Sequence, residues 1–140
     1  MPPFIIPGSD YKDNRGIISF FNDFSFDNIV RFYVIENSEE NELRAWQGHK
    51  LDTKYFYCIK GAFQVSYVKI DNWEKPSSSL VVESIILDET DSKILCIPLG
   101  YANAIKSLTV GSKLLSFSTL PLSMVKDDDF RYDKNFWVIK

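Results

Sequence analysis

The residues most able to do chemistry lie close together between Arg44 and Gly61. Within this segment Gln47, His49 and Lys54 follow the spacing Gln-x-His-x4-Lys. Residues two apart on a β-strand point to the same side, so Gln47 and His49 are expected to share one face, and Lys54 is expected to meet them from a neighbouring strand. Gly61 would form the tight turn before the next strand. The segment predicts one imidazole base beside cationic side chains.

A second motif, at residues 98–103, reads Pro-Leu-Gly-Tyr-Ala-Asn. The two segments resemble the motifs of cupins, in which the first carries His-x-His, Glu and Gly and the second is Pro-x-Gly-x-x-His. Where a metal-binding cupin has imidazole and carboxylate ligands, this chain has Gln47, His49, Lys54 and Asn103. His49 is the chain's one histidine, and an ammonium in place of a carboxylate repels a divalent cation. We therefore expect neither a metal nor another cofactor.

Cationic side chains beside His49 suit anionic oxygens or a developing enolate, which a cation stabilises in a water-poor cavity. The run Arg-Phe-Tyr at 31–33, followed by Arg-Ala-Trp-Gln-Gly-His-Lys at 44–50, resembles the dTDP-4-keto-6-deoxyglucose 3,4-ketoisomerases, whose pattern is Arg-x-Tyr and then Arg-Gly-x-His-Ala-His-Lys. The Gly-Ile-Ile at 16–18 and the motif at 98–103 are similar to the dTDP-4-dehydrorhamnose 3,5-epimerases. The resemblance covers most of the chain.

This resemblance implies an isomerase or epimerase that acts on a nucleotide-linked 4-keto-6-deoxyhexose in deoxysugar biosynthesis. In both families a base removes a proton next to the 4-keto group, a cation stabilises the enolate and an acid returns a proton. Carried over, His49 would be the base, Lys54 would stabilise the enolate, and Tyr33 would be a pocket acid or ligand. The substrate-binding residues would be Arg31, Arg44, Trp46, Gln47 and Asn103. Within that set, Arg44 would bind a phosphate or the keto oxygen.

The chain departs from the epimerase pattern at three proton-transfer positions. The epimerase base is Gln47 here, and an amide does not take up a proton near neutral pH. The histidine of the second motif is Asn103, and the acidic tyrosine of the following strand aligns with Ser116. Isomerisation with His49 as the one base remains open. So do a catalytically degenerate cupin that binds a nucleotide sugar without turnover, and an assembly partner that uses its barrel only for dimer contacts.

For several of these side chains the sequence is equally consistent with a purely structural role. Lys54 could extend from its strand end into solvent, and Tyr33 could be a core or cross-strand aromatic. Trp46 would either stack on a nucleotide base or pack at the rim. The acidic run 127–129 is expected to be a solvated loop or cap. Because an Asp near the C-terminus orients the catalytic histidine in the epimerases, Asp133 is the candidate for that role here.

The elements that must position these residues are short β-strands. Runs of β-branched and aromatic residues, separated by polar turns, predict strands at 16–21, 29–35, 54–59, 63–70, 80–87, 94–97 and 113–117. Alternation such as Phe63-Val65-Tyr67 against Gln64 and Ser66 gives a strand one face toward a core. Strands at this spacing predict an all-β fold, and the motifs specify a small cupin, or double-stranded β-helix (jelly-roll), barrel.

The composition, with 45% hydrophobic and 25% charged residues, predicts a single globular domain over residues 1–140. A net charge of −3 provides no basic surface for nucleic acid or membrane. The resemblance implies a nucleotide sugar, of the dTDP type, as the partner. Cys58 and Cys96 lie in apolar runs and are expected to be buried thiols. No signal peptide or membrane-length apolar run is recognisable, which predicts the cytoplasm. The resemblance implies a homodimer, in which residues 1–10 would supply an edge or exchanged strand.

Overall fold

The computed structural model describes all 140 residues, most of which lie in short β-strands or the turns between them. The strands are β1 (Phe4–Pro7), β2 (Ser9–Asp13), β3 (Gly16–Phe20), β4 (Arg31–Ile35), β5 (Leu43–His49), β6 (Lys54–Lys60), β7 (Ala62–Lys69), β8 (Glu83–Asp88), β9 (Lys93–Ile97), β10 (Tyr101–Ser107), β11 (Lys113–Ser118) and β12 (Phe130–Arg131). A 3-10 helix, η1, spans Leu122–Asp128. No helix of the structure is long and apolar enough to span a membrane.

Two antiparallel five-stranded sheets enclose the main core. The first sheet has the order β1-β9-β6-β11-β4 and the second has the order β12-β5-β10-β7-β8, while β2 and β3 form a separate hairpin. Strands of both sheets contribute to one apolar cluster, which consists of Phe56, Cys58, Phe63, Val65, Tyr67, Leu87, Leu95, Ile97, Ile105 and Leu114. This is a jelly-roll barrel, as the strand spacing and motifs predict.

Each run predicted as a strand contains one, and the differences lie at the ends. β8 begins at Glu83 rather than Leu80, because Leu80 and Val82 pack instead against a second apolar cluster outside the barrel. The motif segments are strands as well: residues 43–49 form β5 and residues 101–107 form β10. These two strands pair, with Asn103 opposite Gln47.

The prediction that Lys54 meets His49 from a neighbouring strand is wrong. β5 belongs to the second sheet and β6 to the first, so the turn at 50–53 carries the chain across the barrel and Lys54 faces His49 from the opposite sheet. Gly61 does form the predicted turn. Its φ of 73° is in the left-handed region, a Cβ there would collide with Ser112, and the chain returns at this point from β6 to β7 in the second sheet.

The C-terminal residues cover the outer face of the second sheet. Trp46, on the outward side of β5, packs edge-on against Trp137 with 5.4 Å between ring centroids. The backbone of Trp46 also exchanges two hydrogen bonds of 3.1 Å with Tyr132. Val68 and Ala102 complete this second cluster from the neighbouring strands. Residues far along the sequence therefore fix the strand that carries Gln47 and His49 toward the barrel interior.

The N-terminal strand, β1, ends the first sheet. β1 pairs antiparallel with β9 of its own chain, with Phe4 opposite Cys96. Cys96 and Cys58 are both free and buried, and burial raises the pKa of Cys58 to about 12 and that of Cys96 to about 11. The two thiols therefore pack as small apolar side chains, as the sequence predicts.

Candidate active site

A cavity of about 450 Å³ lies inside the barrel, between β4 and β6 of the first sheet and β5 and β10 of the second. Its apolar wall includes Val34, Phe56 and Ile105. Its polar side chains are those of Tyr33, Arg44, Gln47, Lys54, Asn103 and Arg131. All but Arg131 are site residues predicted from the motif spacing or from the resemblance, and the fold brings these five together.

Lys54 is buried inside the barrel, and only 5% of its side chain is exposed. Its ammonium Nζ donates a hydrogen bond of 2.7 Å to the Tyr33 hydroxyl and forms an ion pair of 3.1 Å with Asp52 Oδ2. The alternative in which Lys54 extends into solvent is therefore wrong. The structure places a fixed positive charge in the cavity wall, directly beside a phenol.

His49 is buried on the same side of β5 as Gln47 and is 5% exposed. Its Nδ1 lies 2.9 Å from the backbone carbonyl oxygen of Asp128. Because a carbonyl oxygen only accepts hydrogen bonds, Nδ1 carries the proton and Nε2 is the acceptor. Nε2 is buried and has no hydrogen-bond partner, so the imidazole holds a free lone pair.

Burial lowers the pKa of His49, and the positive charge of Lys54 lowers it further. The hydrogen bond to the Asp128 carbonyl and the negative charges of Asp52 and Asp128 oppose this effect without reversing it. The imidazole is therefore neutral at pH 7. A neutral imidazole with a free Nε2 can act as a general base.

Asp128, at the end of η1, connects the C-terminal part of the chain to the β5–β6 turn. Its carboxylate is almost fully buried and accepts backbone N–H bonds from Lys50 (2.6 Å), Leu51 (3.1 Å) and Asp52 (3.0 Å). The expectation of a solvated acidic run is thus wrong for this residue. Asp133 does not orient the histidine: it is exposed and accepts a hydrogen bond from the Asn135 backbone. No local sequence signal identifies Asp128, because its partners are more than 70 residues away.

Charged groups from three segments meet around the cavity. Arg44 donates from Nε to Asn37 Oδ1 at 2.7 Å. Gln47 donates to Asp129 Oδ1 at 3.1 Å, and Arg131 donates from Nε to the same oxygen at 2.6 Å. Arg131 is the polar wall residue that the sequence reasoning missed. It lies in a strand of only two residues, too short to produce a periodic pattern.

Three predicted site residues, His49, Trp46 and Arg31, are not among those that line the cavity. Trp46 is completely buried in the cluster outside the barrel, so its indole has no free face on which a base could stack. Arg31 donates from Nε to the Leu120 carbonyl at 3.2 Å, and its guanidinium lies 5.3 Å from the centre of the Tyr33 ring. The Arg31 guanidinium therefore packs against the Tyr33 ring and does not line the cavity.

Ser116, which aligns with the epimerase tyrosine, is completely buried, and its hydroxyl has no hydrogen-bond partner. It lies directly opposite Tyr33 in the pairing of β11 with β4. The phenol of Tyr33 therefore lies one strand away from Ser116. Asn103, at the position of the second-motif histidine, is buried in the cavity wall. No cluster of three or more His, Cys, Asp or Glu side chains suited to a metal ion is formed.

The sequence matches no protein-family model and no curated protein. Solved structures with similar backbones include dTDP-sugar epimerases and ketoisomerases. A dTDP-4-dehydrorhamnose 3,5-epimerase from Bacillus anthracis, with TDP and pyrophosphate bound, superposes with a TM-score of 0.77 at 17% identity over 99% of this chain and 86% of that chain. The sugar 3,4-ketoisomerase from Thermoanaerobacterium thermosaccharolyticum, in complex with TDP, gives a TM-score of 0.74 at 21% identity over 96% and 90%.

A 3'-monoepimerase from Streptomyces bikiniensis, in complex with dTDP-quinovose, gives a TM-score of 0.70 at 18% identity over 85% of this chain and 64% of that chain. This chain has their cupin jelly-roll fold. The two families that the motifs resemble are thus also those whose solved structures share the backbone. At these identities the likeness establishes the fold, and the chemistry must be argued from the side chains of the site.

Proposed function

We propose that this protein is an isomerase or epimerase of a nucleotide-linked 4-keto-6-deoxyhexose. The observation that carries the proposal is the grouping of a neutral His49 with a free Nε2, the Lys54 ammonium and the Tyr33 hydroxyl in one barrel. The similar structures with bound TDP or dTDP-sugar support a ligand of the dTDP type. Deoxysugar biosynthesis is the proposed context.

In the proposed mechanism His49 Nε2 takes the proton from the carbon next to the ketone. The C–H electron pair forms the carbon–carbon double bond of an enolate, and the carbonyl electrons move onto the oxygen. The Lys54 ammonium stabilises that negative oxygen in a site with little water. In an isomerisation, the proton of the neighbouring hydroxyl moves to the enolate oxygen, and the protonated His49 returns its proton to the carbon that carried the first ketone, which leaves the new ketone at the neighbouring carbon. In an epimerisation, the hydroxyl of Tyr33 returns a proton to the same carbon from the opposite face, and the phenolate recovers the proton held by His49 through solvent. No external oxidant or reductant is needed.

The proposed chemistry uses one base. The side-chain amides of Gln47 and Asn103 do not act as general acids or bases near neutral pH, and the Ser116 hydroxyl is a poor acid. An enzyme that epimerises two carbons needs proton transfer at both. We therefore favour a single isomerisation or a single epimerisation over a two-site reaction.

Arg44 and Arg131 are the proposed contacts for the diphosphate. Both line the cavity, and guanidinium groups bind phosphate oxygens in a bidentate manner. Gln47 and Asn103 would donate their amides to sugar hydroxyls. We further propose that the chain acts as one domain and forms a homodimer, since β1 and β4 end the first sheet as exposed edges. Its two free, buried cysteines favour the reducing cytoplasm.

The test is exchange of the proton next to the ketone with deuterated water. Wild-type protein is incubated with dTDP-4-keto-6-deoxyglucose in D₂O, and NMR follows both the loss of that proton and the appearance of any isomer. We expect exchange by wild type and a loss of about 10² to 10⁴-fold in His49→Ala. Exchange at the wild-type rate in His49→Ala would overturn the mechanism.

A second candidate is a cupin that binds the nucleotide sugar without converting it. The missing proton-transfer groups at Gln47, Asn103 and Ser116 favour it. Calorimetry with dTDP, together with the exchange experiment, distinguishes the two functions. Binding that depends on Arg44 but is accompanied by no exchange would support the binding protein. Absence of affinity for any nucleotide sugar would favour a purely structural role.

A further inference from the structure

We propose that Asp52 is a positioning residue of this site, which holds the Lys54 ammonium against the cavity and balances its charge beside His49. The catalytic consequence of this role rests on the proposed function. Asp52 lies in the turn between β5 and β6 and is not among the cavity-lining residues. It therefore acts on the substrate only through Lys54 and His49.

The orientation of Asp52 is fixed by the end of β11. Its carboxylate accepts a hydrogen bond from Ser118 Oγ at 2.8 Å, from the Thr119 backbone N–H at 3.0 Å and from Thr119 Oγ1 at 3.2 Å. Only 1% of the Asp52 side chain is exposed. A carboxylate with this many donors is held in one position, so its contact of 3.1 Å with Lys54 Nζ also fixes the lysine.

The ammonium of Lys54 has three N–H donors. One is directed to Tyr33 and one to Asp52, which leaves a third for an oxygen in the cavity that Lys54 lines. A buried ammonium without a counter-charge is strongly destabilised and tends to lose its proton or move to solvent. Asp52 therefore keeps a charged lysine at the place where an enolate oxygen would form.

The same pair also sets the electrostatic environment of His49. The negative charge of Asp52 raises the pKa of His49, whereas the positive charge of Lys54 lowers it. The other charged or titratable groups around this space are Tyr33 on β4, Arg44 on β5, Asp128 on η1, the adjacent Asp129, and Arg131 on β12. Loss of one member of the pair leaves the other unopposed, so substitutions at Asp52 and Lys54 must move the pKa of His49 in opposite directions.

Because His49 is the chain's one histidine, its imidazole resonances can be titrated by NMR in the intact protein without an assignment. We expect Asp52→Asn to lower the pKa of His49 relative to wild type and Lys54→Met to raise it. Asp127→Asn removes an exposed carboxylate and serves as the matched control, with an unchanged titration. Unchanged titrations in Asp52→Asn and Lys54→Met would overturn the proposed coupling.

The positioning role is tested by steady-state kinetics of the exchange reaction. Asp52→Asn is expected to lower kcat by about 100-fold and to leave KM for the nucleotide sugar within about threefold, because Arg44 and Arg131 remain. An equal loss in the Asp127→Asn control, or a wild-type kcat in Asp52→Asn, would overturn it. If wild type exchanges no nucleotide sugar, the proposed function fails, whereas the NMR titration still decides whether Asp52 and Lys54 act on His49.

Ser118→Ala is a second variant that tests the positioning role of Asp52 if Asp52→Asn does not fold. This variant removes the hydroxyl that donates to Asp52 but keeps the carboxylate charge. We expect kcat to fall about 5-fold to 10-fold, as for the loss of a hydrogen bond to a charged group, with KM unchanged. A Ser118→Ala protein with wild-type kcat would contradict the positioning role.

Discussion

The space between the two sheets has an apolar half and a polar half. Side chains of the apolar half are closely packed, whereas some polar atoms of the other half lack hydrogen-bond partners. In the apolar half, side chains such as Phe63, Val65 and Leu95 are completely buried and pack against one another. The polar half buries His49, Asp52, Lys54, Asn103 and Ser116 instead. Apolar side chains of the right shape could fill both halves, so the polar residues require an explanation other than packing.

The polar half also contains most of the unpaired polar atoms in the structure. The buried side-chain N and O atoms without a hydrogen-bond partner are His49 Nε2, Ser116 Oγ and Trp46 Nε1, and the first two lie inside the barrel. Unpaired buried polar atoms destabilise a protein and are rare. These unpaired atoms lie in the half of the barrel that holds the cavity and agree with the ligand site proposed there, while the apolar half provides the stability.

The largest predicted effect on stability belongs to the apolar half. Phe63→Ala should lower the free energy of unfolding by about 3 to 5 kcal/mol, because it removes a completely buried ring and leaves a cavity. The matched variant in the polar half is Ser116→Ala, at an equally buried site. It should be neutral or stabilising, because the hydroxyl that it removes has no partner. Urea denaturation measures both, and a similar loss in the two variants would contradict the division into halves.

Substitutions in the buried ion pair of Lys54 and Asp52 should have non-additive effects on the free energy of unfolding. Lys54→Met leaves the Asp52 carboxylate buried without its counter-charge, which should lower the free energy of unfolding by about 3 kcal/mol. Adding Asp52→Asn should restore much of that stability, since the double variant buries no unpaired charge. Lys60→Met, at the exposed end of the same strand, is the control and should have little effect. Additive losses in the double variant would argue against a direct pair.

A smaller effect concerns the dependence of stability on pH. The pKa of His49 is lowered in the folded state, so the unfolded chain binds a proton more readily than the folded one. Between the folded pKa and 6.5, stability should therefore rise with pH, by at most about 1.4 kcal/mol per pH unit. Well above pH 6.5 the imidazole is neutral in both the folded and the unfolded chain, so His49 no longer makes the free energy of unfolding depend on pH. Denaturation of wild type and His49→Gln from pH 4.5 to 7.5 tests this, and the contradicting result is an equal slope in both proteins over that window.

The sequence predicts the parts of the site that depend on local periodicity. Gln47 and His49 share a face because they are two residues apart on one strand, and Lys54 follows from the motif spacing. Tyr33 follows from the resemblance to the ketoisomerases. The same spacing does not specify which sheet each strand joins. It predicts that β5 and β6 are neighbours, whereas the turn at 50–53 connects the two sheets. The role of Asp128 is not predicted from the sequence, for a related reason. Its role comes from a contact with that turn, and no pattern near residue 128 reports it.

The smallest predicted effect concerns Trp46, for which the sequence left stacking on a nucleotide base open. The structure places its indole outside the barrel against Trp137. Trp46→Phe should therefore leave the affinity for dTDP within about twofold of wild type, while removal of part of a buried side chain lowers stability by about 1 to 2 kcal/mol. Calorimetric titration with dTDP, with Arg44→Ala as the variant expected to weaken binding, provides the measurement. A loss of affinity in Trp46→Phe as large as that in Arg44→Ala would mean that the outer face of β5, rather than the polar half of the barrel, binds the nucleotide.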